Sequence, residues 1–347
     1  MGYRTIMVGT DGSETAAIAV RAATGLAERF GGTVHIVTAH TETGVDEQTA
    51  IEVLRYAREA VRREGVETKT HMRKGQPAEV INDLAAVHGA DVIVVGNVGM
   101  GKARRFRLGG IAEQVTVEAP CDVLIVHTAD GATAEGAYRH LLIGTDGSPT
   151  AAEATRKAFE IAEILGADVT LVYVGDPLLG AIALEEAAKG RPGQADVHSE
   201  ILQGDPAERI VELAAGGKID LVIVGNKGMA GTRRYLLGSV PNKVAHESPV
   251  DVLVAKTVGR TIDDLAPGHG GLVDVEGRRL AVFKAEDGAL TALNPRCTHM
   301  GCTVDWNDGD RTWDCPCHGS RFDVQGRVIH GPARSPLERT DVSPDPS

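Results

Sequence analysis

Four of the five cysteines and two of the twelve histidines of this chain fall into two short boxes. These are Cys297-Thr-His299-Met-Gly-Cys302 and Cys315-Pro-Cys317-His318-Gly-Ser320-Arg-Phe322. Read as ligands, Cys297-x-His299 and Cys315-x-x-His318 offer two thiolates and two imidazoles from two loops. That donor set suits a 2Fe-2S centre in which two cysteines hold one iron and two histidines the other. A zinc site is the competing reading, because zinc also takes thiolates and imidazoles in fours. Structural zinc motifs usually space their cysteines as C-x2-4-C, however, and a Cys-x-His pair followed by Cys-Pro-Cys-His-Gly-Ser is not that pattern. A module held by disulfides alone is the third reading.

A second set of candidate residues sits in an internal repeat covering the first 257 residues. Ile6-Met-Val-Gly-Thr-Asp11-Gly-Ser13 recurs as Leu142-Ile-Gly-Thr-Asp146-Gly-Ser148. Asp91-Val-Ile-Val-Val-Gly96-Asn-Val-Gly99-Met recurs as Asp220-Leu-Val-Ile-Val-Gly225-Asn-Lys-Gly228-Met. In copy two the run Gly225-x2-Gly228-x9-Gly238-Ser239 gives a flexible turn after a strand and then a helix N-terminus. Glycines let the backbone approach a ligand, and helix N-terminal N–H groups favour phosphate. Asp146 ends the first strand and can meet that loop if strands one and four are neighbours at a switch point. A tight strand-to-helix connection without ligand is the alternative; the paired aspartate and the duplication favour a nucleotide.

Positioning these residues requires alternating elements. Short apolar runs separated by helical patterns read as a parallel sheet covered on both faces. In copy one, strands are predicted near 4–10, 33–39, 67–72, 91–96 and 122–127, and helices near 13–29, 46–63, 77–88 and 110–118. Ser13 caps the first helix and Pro77 stands in the first turn of the third. Copy two repeats the plan from about 140 to 256, with Ser148 and Pro206 in the same roles. The offset between copies is 135 early and 129 late, so copy two has lost six residues, where copy one has its second helix. Cys121 is expected to be buried packing.

Residues 258–271 shift to a linker composition, and residues 272–293 have the rhythm of antiparallel sheet. Runs at 272–275, 280–284 and 290–293 are separated by Glu276-Gly277 and Asp287-Gly288 turns. A hairpin turn at 307–310 separates the two boxes, flanked by Trp306 and Trp313 as core. The tail after Val342 is rich in Pro, Ser and Asp, and disorder is expected there.

On these residues, 262–342 resembles a Rieske 2Fe-2S domain; both boxes and the later Gly331-Pro332-Ala333 fit the family pattern. The resemblance implies Cys297 and Cys315 on one iron, His299 and His318 on the other, and a Cys302–Cys317 disulfide. That form is similar to the Rieske proteins of cytochrome bc-type complexes more than to dioxygenase ferredoxins. Ser320 is kept, but Phe322 stands where high-potential members carry a tyrosine, which implies an intermediate potential. Residues 1–130 and 138–257 each resemble a universal stress protein domain, whose ATP-binding branch carries Gly-x2-Gly-x9-Gly-Ser/Thr. The fold implied is two α/β, Rossmann-like, five-stranded parallel domains followed by an all-β domain. For copy two the resemblance implies that Asp146 contacts adenine and Val174 lines the adenosine pocket. Gly225, Gly228, Gly238 and Ser239 would hold ribose and phosphates. Copy one matches at Asp11, Gly96, Gly99 and Gly109, but Gly110 replaces the hydroxyl residue, so ATP is expected to favour copy two. Lys102, Arg104 and Arg105 in one loop, and Arg233 and Arg234 in the other, add charge. The family's habit of pairing through last strands implies that edges 122–127 and 251–255 join, or that the chain forms a homo-oligomer.

Hydrophobic residues make up 42% of the chain, enough for real cores, and the net charge of −12 argues against nucleic acid as the main partner. No run of 18 apolar residues exists, and the start runs straight into a strand without a signal peptide, so no membrane span and a cytoplasmic location are expected. A disulfide is uncommon in that compartment. There is neither a P-loop Lys-Ser/Thr nor a recognisable two-His-one-carboxylate iron site. The reading is a stress-response protein that binds ATP and carries a Rieske cluster for electron transfer or redox sensing, with an unknown redox partner. The alternatives are a ferredoxin-like component of an oxidoreductase or oxygenase system, and a scaffold whose domains do not communicate.

Overall fold

The computed structural model describes every residue except 1, 42–43, 98–107, 129–137, 190–195, 227–236, 257–261, 263–264, 276–277, 316–317 and 341–347. The chain divides into two units, Met1–Thr257 and Val258–Ser347.

A run such as Val-Ile-Val-Val has no polar face to turn toward water, so it belongs in a sheet covered on both sides. The first unit places such runs in order as β1 (Thr5–Gly9), α1 (Glu14–Phe30), β2 (Thr33–His40), α2 (Glu47–Arg63), β3 (Thr68–Lys74), α3 (Pro77–His88), β4 (Val92–Gly96), α4 (Gly110–Glu118) and β5 (Asp122–Val126). The second copy continues as β6 (His140–Gly144), α5 (Pro149–Leu165), β7 (Asp168–Val174), α6 (Pro177–Ala188), β8 (Val197–Leu202), α7 (Pro206–Ala215), β9 (Leu221–Gly225), α8 (Ser239–Glu247) and β10 (Asp251–Ala255). The predicted caps form: Ser13 Oγ accepts the Ala16 N–H and Ser148 Oγ the Ala151 N–H, both at 3.2 Å. Most of the six-residue difference between copies lies where expected, since α6 has 12 residues against 17 in α2.

Within each copy the strands are parallel, in the order 3-2-1-4-5, and the two copies share one ten-stranded sheet. The join is antiparallel, β5 against β10, with Leu124 opposite Leu253. The five-stranded halves are therefore continuous, and each covers the other's exposed edge. Two matched aspartates secure this seam. Asp122 Oδ2 accepts the Tyr3 hydroxyl at 3.0 Å and its Oδ1 accepts the Lys256 N–H at 2.8 Å. Asp251 Oδ2 accepts the Tyr138 hydroxyl and its Oδ1 the His127 N–H, both at 2.7 Å. Asp122 alone of the two has a lysine, with Lys157 Nζ at 2.7 Å. Cys121 is buried as expected, and burial pushes its thiol up to about 12.

The second unit contains two antiparallel sheets. One is β11 (Gly270–Val275), β12 (Arg278–Lys284) and β13 (Leu290–Leu293); the other is β14 (Asp305–Asn307), β15 (Thr312–Asp314), β16 (Arg321–Phe322) and β17 (Val328–His330). Trp306 and Trp313 face each other across β14 and β15, with ring centroids 4.9 Å apart. Trp313, Phe322, Leu293 and Val304 form the fully buried centre of one core, and Cys297 and Cys315 belong to it. The predicted Glu276-Gly277 turn and the tail beyond Thr340 lie outside the described residues.

Candidate functional site

The two Cys/His boxes occupy the connections from β13 to β14 and from β15 to β16. Although their sequences differ, their backbones close in the same way. The Cys297 N–H donates to Cys302 O at 2.7 Å and the Gly301 N–H to Cys297 O at 2.8 Å. Likewise the Cys315 N–H donates to Ser320 O at 2.7 Å and the Gly319 N–H to Cys315 O at 3.0 Å. Each loop thus folds back on its first cysteine through a glycine four residues later. Gly301 (φ 74°) and Gly319 (φ 70°) are both left-handed, where a side chain would be strained.

Cys297 and Cys315 are free thiols, each 2% exposed, whereas His299 and His318 are exposed. The two imidazoles meet edge to face, with centroids 4.9 Å apart. The donors are therefore graded, with sulfur toward the core and nitrogen toward solvent, which fits a two-iron centre with one iron at each level. A third segment closes over the second box. Gly331 has φ 100°, and a Cβ there would lie 2.5 Å from Ser320 Cα, so only glycine permits this approach. Beside it the Ala333 N–H donates to the fully buried Ser320 Oγ at 3.2 Å, and the Thr298 hydroxyl donates to Ser335 O at 2.5 Å. A hydroxyl accepting in this way keeps its own proton to give elsewhere. Phe322 is fully buried and paired with Trp313 across β15 and β16.

In the first unit, β1 lies beside β4 and β6 beside β9, so the predicted switch point exists in both copies. Asp11 and Asp146 follow the first strand of each copy, and each Oδ1 accepts a serine N–H two residues on at 3.0 Å. Gly96 and Gly225 end the neighbouring strands, and Val174 ends β7 in copy two. The glycine loops are pinched at their necks: the Gly109 N–H donates to Asn97 O at 2.7 Å and the Gly238 N–H to Asn226 O at 3.0 Å. Gly109 and Gly238 are the N-cap residues of α4 and α8, and Ser239 is the exposed first residue of α8. Gly99, Gly228, Cys317 and the loop residues Lys102, Arg104, Arg105, Arg233 and Arg234 lie outside the described residues. Sequence alone did not single out His35, His71 and His88, which the fold brings together.

Two family models match the chain. The universal stress protein family covers residues 2–127, 137–187 and 178–256, and the Rieske [2Fe-2S] domain covers residues 256–341. A universal stress protein of Mycolicibacterium smegmatis is 32% identical over 210 residues, which are 55% of this chain and 70% of that protein. A Bacillus subtilis protein described as a Rieske 2Fe-2S iron-sulfur protein is 50% identical over 80 residues, 23% of this chain but 16% of that relative's length. The crystal structure of a universal stress protein from Archaeoglobus fulgidus superposes with a TM-score of 0.59 at 19% identity, covering 73% of this chain and 98% of the other. At that identity the likeness concerns the fold.

Proposed function

Because the chain belongs to the universal stress protein family and carries a Rieske [2Fe-2S] domain after its two family repeats, we propose that it couples adenine-nucleotide binding to one-electron chemistry. The observation that carries this reading is the pair of matched loops, with thiols buried behind and imidazoles exposed in front. In it Cys297 and Cys315 hold one iron and His299 and His318 the other. When bound, such a cluster supplies reversible one-electron transfer. The exposed His299 and His318 rings form the edge that a redox partner meets, while the buried cysteines keep water from the sulfurs. The Ser320 hydroxyl, which has a proton left to give, would favour the reduced, more negative state if it donated to the cluster.

A Cys302–Cys317 disulfide belongs to the same proposal. Its support is that, among the described cysteines, Cys121, Cys297 and Cys315 are free and Cys302 is not one of them. ATP binds at the switch points, copy two more tightly. Asp146 and Val174 meet the adenosine, and Gly225, Gly228, Gly238 and Ser239 the ribose and phosphates. Support comes from the adjacency of β6 and β9 and from a hydroxyl at the start of α8. None of the described helices is long and apolar enough to cross a membrane; a cytoplasmic location is part of the proposal.

The test is metal analysis of the anaerobically purified chain, with its bound nucleotide identified. Two irons and two sulfides per chain, with a Rieske-type paramagnetic signal on reduction, are expected; zinc in their place ends the redox reading. Redox sensing further requires that reduction change ATP affinity and that ATP shift the midpoint potential by the same coupling energy. An unchanged potential under saturating ATP leaves a simple electron carrier.

A further inference from the structure

Three histidines of the first repeat converge at one place on its sheet. His35 lies on β2, His71 on β3, and His88 is the last residue of α3. One ring nitrogen from each lies within 4.8 Å of the other two. Parallel pairing sets Val37 opposite His71, so His35, two residues from Val37, shares its face of the sheet. On that face Val37 packs in one core with Ala78, Ile81 and Ala85 of α3, which delivers His88. The rings lie 5.0, 5.3 and 4.4 Å apart by centroid.

His71 Nε2 and His35 Nδ1 are 3.1 Å apart. Two imidazole nitrogens on one tetrahedral zinc ion stand about 3.3 to 3.4 Å apart, from bonds of about 2.0 to 2.1 Å. A small relaxation therefore turns this hydrogen-bonded pair into a chelate. Exposure rises from His35, 4% exposed, through His71 to the exposed His88, so an ion enters from the His88 side and keeps water as its remaining ligand.

Burial pushes the His35 imidazole down to about 4 and holds His71 below the ordinary range. Their nitrogens are consequently not charged at neutral pH, the state a metal needs. Lys69, opposite His35 in the register, is the cation a bound ion must tolerate, and it is exposed.

The second repeat argues that the fold itself does not call for these imidazoles. The strand registers fix the offset at 135 for β2 against β7 and at 129 for β3 against β8. The equivalent residues are Thr170, Glu200 and Gly217. Copy two builds the same strand order, and its α7 is the counterpart of α3 though it ends at Ala215, with no histidine at any of the three places.

We propose that His35, His71 and His88 form a three-imidazole site for a divalent transition-metal ion, zinc in the first instance. Imidazole donors suit zinc, copper and nickel and are poor partners for calcium or magnesium.

The experiment titrates zinc by calorimetry into the full chain whose iron-sulfur centre is already assembled, so that Cys297, His299, Cys315 and His318 are occupied. One zinc per chain beyond the irons is expected. His71→Gln and His88→Gln should each weaken it by at least about tenfold, since even the loss of an outer-shell partner costs roughly 10- to 100-fold. Both positions are at least partly exposed, and unchanged iron content and circular dichroism establish that the variants fold. Zinc-edge X-ray absorption should show nitrogen or oxygen donors and no sulfur. No zinc uptake, uptake unchanged in both variants, or sulfur in the zinc shell overturns the assignment.

Discussion

Asp251 permits a quantitative test of the seam that joins the two repeats. Its carboxyl is 4% exposed and takes hydrogen bonds from Tyr138 and from the His127 N–H. Asp122 has the same two kinds of partner and Lys157 besides. In copy one the position equivalent to Lys157 is Ala22, so α1 brings no lysine to Asp251. Burial pushes the Asp251 carboxyl up from 3.8 to about 6, against the pull of its two hydrogen bonds. Between those values the folded chain holds a proton that the unfolded chain has released. Stability therefore falls as pH rises through that window and levels off above it. A displacement of roughly two pH units at 1.36 kcal/mol each corresponds to about 3 kcal/mol. Asp251→Asn keeps an acceptor for His127 N–H, offers an amide donor to the Tyr138 oxygen, and carries no charge at any pH. Urea unfolding followed by circular dichroism reports on the first unit, because every described α-helix lies there; Trp306 and Trp313, the only tryptophans, report separately on the second. The variant should gain on the wild type by up to about 3 kcal/mol between roughly pH 4 and pH 7.5, and should be the more stable at the upper end. An equal difference at both pH values, or a less stable variant at the upper one, refutes the reasoning.

Lys157→Met leaves Asp122 buried without its cation and should cost about 3 kcal/mol in the same unfolding assay. Ser239→Gly, which gives copy two the residue found at Gly110, should weaken ATP binding roughly ten- to hundredfold by calorimetry, the effect of one hydrogen bond to a charged phosphate. Phe322→Tyr should raise the midpoint potential of the cluster by about 40 to 65 mV in a redox titration, as a hydrogen bond of about 1 to 1.5 kcal/mol requires. Ser320→Ala should lower it by a similar amount with iron content unchanged; an unmoved potential would show that the hydroxyl gives its proton to something other than the cluster.

The sheet and helices were legible because their signals are local. Val and Ile runs admit few other folds, Ser13 and Ser148 mark helix starts, and the boxes announce ligands by residue type and spacing. The shared backbone fold of the two boxes was less so. Cys297 and Cys315 are followed by different residues, and only glycine at 301 and 319 hints at the common turn. The β5–β10 join came from family resemblance, since nothing in either strand names its partner. The histidine trio was not legible at all. His35 and His71 meet only because β2 and β3 pair at a register set by the whole α2 crossover, 36 residues apart. The available signal was an imidazole in the otherwise apolar stretch Val34–Val37, and its meaning depended on what faced it.

Because the β5–β10 seam lies within one chain, the repeats form a dimer released from symmetry. In an assembly of two identical chains every mutation arrives twice, and a change useful in one half must be tolerated in the other. Here Lys157 faces one aspartate only, Ser239 opens one glycine-loop helix only, and the three histidines sit in one copy only. The linkage also makes the pairing independent of concentration, so dilution cannot separate the halves while the chain is intact. Each half can thus differ from the other at single positions while the shared sheet holds both.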